Sequence, residues 1–275
     1  MFRKVIVGVD GGPTGRDAVA LGRLLVAPDA RLSLAHVHVL TPVRGASNAY
    51  GVAESAEATA LLESERTATG VEADLLPITA SSVGRGLHYL ADANDAHLLV
   101  VGSNPRSFVG RVLLGDATRA ALIGAPCAVA VAPLGYAEDG SAIARIGVGY
   151  DGSSESKAAL ECARELAAIH GATVTALTVV EPAGPVRGLA RGDTDEELLA
   201  QARADLDALE GVEGEAVLGL AGEELAAFGE RVDLLVEGAR EYGPIRRLML
   251  GSTALHLASN ARCPLLVLAR GDDAA

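Results

Sequence analysis

Two glycine pairs at identical separation limit what this chain can fold into. Gly102 and Gly115 lie 13 positions apart, and so do Gly238 and Gly251. Each pair begins at the end of an apolar run, Leu98-Leu99-Val100-Val101 or Leu234-Leu235-Val236. Each closes on a step that reads as a helix start, Gly115-Asp116-Ala117-Thr118 or Gly251-Ser252-Thr253. A buried strand, a glycine-bearing loop and a helix start, met twice in the same spacing, mark a duplicated unit. A helix start leaves backbone N–H groups unpaired and carries partial positive charge, so it can receive an anion. Glycine lets the loop backbone come close to a ligand.

The 275 residues suffice for two ordinary domains. In the first copy, strands are predicted over residues 4–10, 32–40, 72–79, 97–102 and 127–132. Helices are predicted over 13–25, 55–69, 83–93 and 116–123. The second copy repeats the order. Its strands are predicted over 145–151, 173–180, 215–220, 234–238 and 264–269, and its first helix ends at Ile169 before Gly171. An acidic helix follows over 194–209, with Thr194 as cap and Glu197 three residues on, then a short helix over 223–229 and a last one ending at Asn260.

Alternating strands and helices, with strands that are apolar throughout, predict an α/β fold with parallel sheets covered on both faces. The expected organisation is two tandem open-sheet domains of five parallel strands each, residues 1–134 and 143–270, joined by a linker over 135–142. The segments 41–54 and 182–193 are read as long mobile loops over the binding faces.

Charge and composition narrow the function. The chain carries 23 basic and 36 acidic residues, a net charge of −13. Divided after Gly140, the first part has 11 basic and 14 acidic residues (−3) and the second 12 and 22 (−10). Phosphate backbones need clustered Lys and Arg, so nucleic acid is not an expected partner. The sequence has no uninterrupted apolar run of the roughly 18 residues that cross a bilayer, so no membrane partner is expected. The N-terminus enters a strand without a signal-peptide core, and the expected location is cytoplasmic. Cys127, Cys162 and Cys263 have no metal-ligand spacing. Cys127 and Cys263 occupy the same repeat position and read as small buried hydrophobes.

Several motifs carry no chemistry. Gly147-Val148-Gly149-Tyr150-Asp151-Gly152 fits G-x-G-x-x-G, but its first two glycines lie inside a strand and the other copy lacks it. There is no P-loop, and no Ser/His/Asp set can be assembled. His36 and His38 share a strand without a carboxylate at metal spacing and read as strand histidines, so no metal is expected. Arg106, Arg111, Arg119, Arg240, Arg246 and Arg247 near the loops fit phosphate contacts or surface ion pairs equally well.

Open parallel sheets bind ligands at the carboxyl ends of their strands, where strand order reverses. In the first copy this brings together Gly8, Val9 and Asp10, then Val37, Val101 and Gly102, then Gly115 and Thr118. The second copy offers Gly149, Asp151, Val179, Gly238, Gly251, Ser252 and Thr253. A strand-end aspartate can accept hydrogen bonds from a ribose or an amine; it can equally cap a helix.

Asp10-Gly11-Gly12 and Asp151-Gly152-Ser153 after the first strands, with the paired glycines after the fourth, resemble the universal stress protein family. The resemblance covers both halves and is most specific over residues 242–252. It implies two domains packed as a pseudo-twofold internal pair, with the final strands antiparallel at the interface. It also implies a stress-response or signalling module that binds ATP or another adenine nucleotide, with at most slow hydrolysis. An unidentified protein partner and a further homodimer are compatible with it. The other function it implies is an interaction module that takes no nucleotide. The Ser-Gly-Gly-x-Asp-Ser loop of related pyrophosphatase-type enzymes is missing, which argues against adenylating chemistry.

In nucleotide-binding members, the strand-one Asp and the apolar strand-two residue hold adenosine, and the glycine loop and Gly-Ser/Thr helix start hold phosphates. Both copies depart from that pattern. Pro105 and Asp116 replace the second glycine and the Ser/Thr in the first; Glu241 replaces the second glycine and Glu237 an apolar pocket residue in the second. A carboxylate ~4 Å from a phosphate oxygen opposes binding by roughly 1–4 kcal/mol. The expectation is therefore ATP or ADP in the second half, and at most adenosine or AMP in the first.

Overall fold

The computed structural model describes all residues except 41–47, 105–111, 113, 114, 139–141, 183–190, 240–247, 249, 250 and 270–275. The first half runs β1 (Val5–Gly8), α1 (Pro13–Leu25), β2 (Leu32–Val39), α2 (Asn48–Thr69), β3 (Ala73–Ala80), α3 (Val83–Ala93), β4 (Leu98–Gly102), α4 (Asp116–Leu122) and β5 (Ala128–Ala132). The second runs β6 (Arg145–Gly149), α5 (Ser154–His170), β7 (Thr173–Val180), α6 (Arg191–Asp207), β8 (Glu213–Leu218), α7 (Ala221–Phe228), β9 (Leu234–Gly238), α8 (Ser252–Asn260) and β10 (Leu265–Leu268).

The strands form one ten-stranded sheet in the order β3-β2-β1-β4-β5-β10-β9-β6-β7-β8. Pairing is parallel within each half and antiparallel only where the halves meet, with Val129 opposite Val267, Ala130 opposite Leu266 and Val131 opposite Leu265. Successive strand residues face opposite sides of the sheet. Val5, Val7, Val100, Val236 and Leu266 belong to one core, while Ile6, Leu99, Val101, Leu235 and Val267 belong to the other. Both faces are covered, so the strands need no polar alternation. Both cores cross the β5–β10 seam, where burying each Val or Leu contributes roughly 1.5–3 kcal/mol.

Backbone bonds reinforce the seam at equivalent positions of the two copies. The N–H of Val112 donates to the Ala261 carbonyl and that of Leu248 to the Ala125 carbonyl, each at 2.8 Å. Val112 and Leu248 belong to the segments that follow β4 and β9, so each of these segments is tied to the opposite half. The connection between halves is also anchored. Asp17, only 2% exposed on α1, accepts the N–H groups of Gly135 at 2.9 Å and Ala137 at 2.8 Å.

Some predicted boundaries move. α2 begins at Asn48 rather than residue 55. α6 begins at Arg191, which puts Thr194 inside the first turn instead of at the cap. Residues 48–54 and 191–193 are thus helical, Pro182 lies in neither a helix nor a strand, and the remainder of the two expected loops, 41–47 and 183–190, lies outside the described residues. β8 begins at Glu213, not residue 215, because its register with β7 runs from Thr175–Glu213 to Val180–Leu218. Cys127 and Cys263 are buried, and burial pushes the Cys263 thiol up to about 12. Among the described residues no helix is long and apolar enough to cross a membrane.

Candidate functional site

Strand order reverses between β1 and β4: the chain leaves β1 for β2 and β3 on one side, then crosses to β4 and β5 on the other. A crevice opens at the carboxyl ends there. It forms a cleft of about 280 Å³ lined by Gly8, Val9, Asp10, Val37, Val101, Gly102, Gly115 and Thr118, the first-half residues expected from sequence. Ala35, His36, Val83, Leu87, Ser103, Asn104 and Asp116 complete much of its wall. The base of the cleft is apolar, with the Val101 and Leu87 methyls at van der Waals distance from where a Cβ on Gly8 would stand.

Asp10 is not the helix cap. Gly12 holds the N-cap of α1, which has no side-chain cap bond. Instead the Asp10 carboxylate accepts the Gly12 N–H at 3.0 Å and the Thr14 hydroxyl at 3.4 Å, over Gly11 at φ +82°. Only glycine adopts that φ readily. A carboxylate has about four acceptor sites, so this exposed one retains capacity for a ligand. His36 Nδ1 lies 2.8 Å from the Val9 carbonyl, which requires that nitrogen to carry a proton. The Thr118 hydroxyl, expected at a phosphate, donates to the Gly102 carbonyl at 2.8 Å and ties α4 to β4.

The glycines ending β4 and β9 have a packing reason. A Cβ on Gly102 would run into the Thr14 carbonyl, and one on Gly238 into the Glu155 carbonyl. The helix start after β1 or β6 lies directly on them.

The second cleft, about 430 Å³, is lined by Gly149, Asp151, Val179, Gly238, Gly251, Ser252 and Thr253, again the residues expected from sequence. Asp151 accepts the Ser153 N–H at 3.0 Å over Gly152 at φ +77°, repeating the Asp10 turn. Gly251 caps α8 without a side-chain bond and has open space where a Cβ would stand. Asp151, Glu155, Glu181 and Glu237 all line this cleft.

The two clefts differ most at the strand-four position. Val101 in β4 faces Gly8; Glu237 in β9 faces Gly149, its carboxyl filling the place a Cβ would take. Glu237 is 8% exposed, and its Oε1 is buried without a hydrogen-bond partner among the described residues. Burial, with the charge of Asp151 adding to it, pushes this carboxyl up to about 8. The family resemblance marks Glu237 as a departure from the apolar pattern; its burial against Gly149 follows only from the fold. Pro105, Glu241, Arg106, Arg111, Arg240, Arg246 and Arg247 lie outside the described residues. Among those described, no group of three or more His, Cys, Asp or Glu could hold a metal ion.

This doubled geometry has counterparts among known proteins. The sequence profile of the universal stress protein family matches residues 1–133 and, a second time, residues 143–269. The chain belongs to the universal stress protein family. A universal stress protein of Mycobacterium tuberculosis is 29% identical over 217 residues, 74% of either chain. One of Thermus aquaticus is 34% identical over 131 residues, 43% of this chain and 93% of its own. The crystal structure of a universal stress protein from Archaeoglobus fulgidus matches with a TM-score of 0.70 at 17% identity, covering 97% of this chain and 98% of that one. A putative universal stress protein from Pseudomonas aeruginosa gives 0.62 at 16% identity, covering 97% and 93%. These two likenesses establish the fold, a tandem universal stress architecture with two domains in one chain.

Proposed function

We propose that this universal stress protein is an adenine-nucleotide-binding stress-response or signalling module that holds the adenosine end of its ligand in the first cleft. The observation that carries this reading is the apolar notch between Val37, Leu87 and Val101, closed at one side by Asp10. A planar base is received by the apolar walls, and ribose hydroxyls donate to the spare acceptor sites of Asp10. The volume, about 280 Å³, lies just below the roughly 300–1,000 Å³ span of small-molecule sites. Asp116 at the start of the short α4 opposes a phosphate chain, so adenosine or AMP is favoured over ATP.

ATP or ADP in the second half rests on Gly251, Ser252 and Thr253 at the uncapped start of α8. The lining carboxylates Asp151, Glu155 and Glu181 weigh against a polyanion there. Those carboxylates also favour a second reading, an interaction module of the same fold that takes no nucleotide.

The test is extraction of adenine nucleotide from the purified protein together with an AMP titration. AMP is expected to bind, and Asp10→Asn to weaken it about tenfold, ~1.4 kcal/mol. Absence of both bound nucleotide and a saturable AMP titration would decide for the second reading.

A further inference from the structure

We propose that the second cleft takes a ligand of a different class, an organic amine cation, with an ammonium group seated between Glu237 and Asp151. Three observations meet here. Glu237 Oε1 is buried in the cleft floor with no hydrogen-bond partner among the described residues. A buried carboxyl left in that state costs free energy, and a ligand donor recovers it. The equivalent position of the first copy is Val101, whose methyls satisfy the same space over the facing glycine, so the fold itself does not require a carboxyl there.

The wall supplies the second observation. Asp151, Glu155 and Glu181 join Glu237, and none of the described lining residues is Lys, Arg or His. Among the described residues, the first cleft has only Asp10 and Asp116 as lining carboxylates. Concave walls of one charge sign concentrate the opposite ion. The third observation is room: at about 430 Å³ the cleft holds a flexible aliphatic amine, with Leu177, Val179 and Leu225 for its methylenes. An ammonium has three donors and no acceptor, which suits oxygens that only accept. Charge-assisted bonds of this kind are about twice as strong as neutral ones.

Seating a cation lowers the Glu237 carboxyl from its raised value and drives off its proton. Among the described residues, the other ionisable groups lining the cleft are Asp151 and Tyr150 beyond β6, Glu155 on α5 and Glu181 after β7; the described lining residues of α7 and α8 carry none. At pH 7 a carboxyl raised to about 8 retains ~0.9 proton, so binding releases most of one proton.

The test is calorimetric titration of the full chain with spermidine at pH 7, in two buffers of different ionisation heat. Saturable binding with proton release is expected. Glu237→Gln should abolish the release and weaken binding at least tenfold, while Asp151→Asn should weaken binding and keep the release. Glu237→Val, which copies the first half, stands in for Glu237→Gln if that variant does not fold. No saturable binding, or proton release that survives loss of the Glu237 carboxyl, would overturn the proposal by showing only cation condensation on an acidic surface. Displacement of spermidine by AMP, one for one, would also overturn it. The AMP titration of Asp10→Asn reads the first cleft separately, so neither proposal fails with the other.

Discussion

At Gly149 the second copy places a carboxyl where the first copy, at Gly8, places the methyls of Val101. That single exchange has a consequence for stability. Below pH 4.5 the Glu237 carboxyl is neutral both folded and unfolded, and contributes no pH-dependent penalty. As pH rises from 4.5 to about 8 the unfolded chain ionises while the folded one holds its proton, so stability is lost across that window. Urea midpoints of the wild type should fall over it, and those of Glu237→Gln should fall less. Glu237→Val should exceed the wild type at pH 8 by about 2–4 kcal/mol. Equal pH slopes for wild type and Glu237→Gln would mean the carboxyl ionises normally. At this scale the sequence was informative wherever a residue type has few alternative uses. The aspartates after β1 and β6 and the glycines after β4 and β9 line the clefts they were assigned to. What it could not convey was engagement. The Thr118 hydroxyl looks available in the sequence but is bonded to Gly102, and Gly102 itself answers to the Thr14 carbonyl.

Among the elements, strand and helix identities followed from the pattern of apolar residues, while several ends did not. Thr194 and Glu197 imitate a helix start, yet α6 begins at Arg191; a local cap signal does not exclude an earlier turn. β8 takes its limits from its partner β7, a pairing that no local pattern encodes. Nor does sequence show that Leu248 crosses to the other half, where its N–H reaches Ala125 and its carbonyl accepts from Gly124 at 2.9 Å. Leu248 is fully buried. Leu248→Ala should cost about 2–5 kcal/mol. Amide exchange should accelerate at Gly124 in the first half as well as in the second, because the side chain anchors the segment bonded there. Acceleration confined to the second half would show that the tie carries no stability.

On the scale of the molecule, the halves share one sheet, and β5 and β10 each supply the other's missing neighbour. Residues 1–140 expressed alone would leave the apolar β5 as an open edge, and open edges pair with other chains. That fragment should self-associate on size exclusion; a monomer at high concentration would contradict a seam that both halves need. The duplication was visible from spacing alone, but duplication also suggests equivalent sites. The side chains at Val101 and Glu237 make them unlike. AMP stoichiometry measured by calorimetry tests that inequality, in the wild type and in Val101→Glu, which gives the first cleft the second's carboxyl. One AMP per wild-type chain is expected, and none in Val101→Glu. Two AMP per chain, or one that survives Val101→Glu, would contradict it.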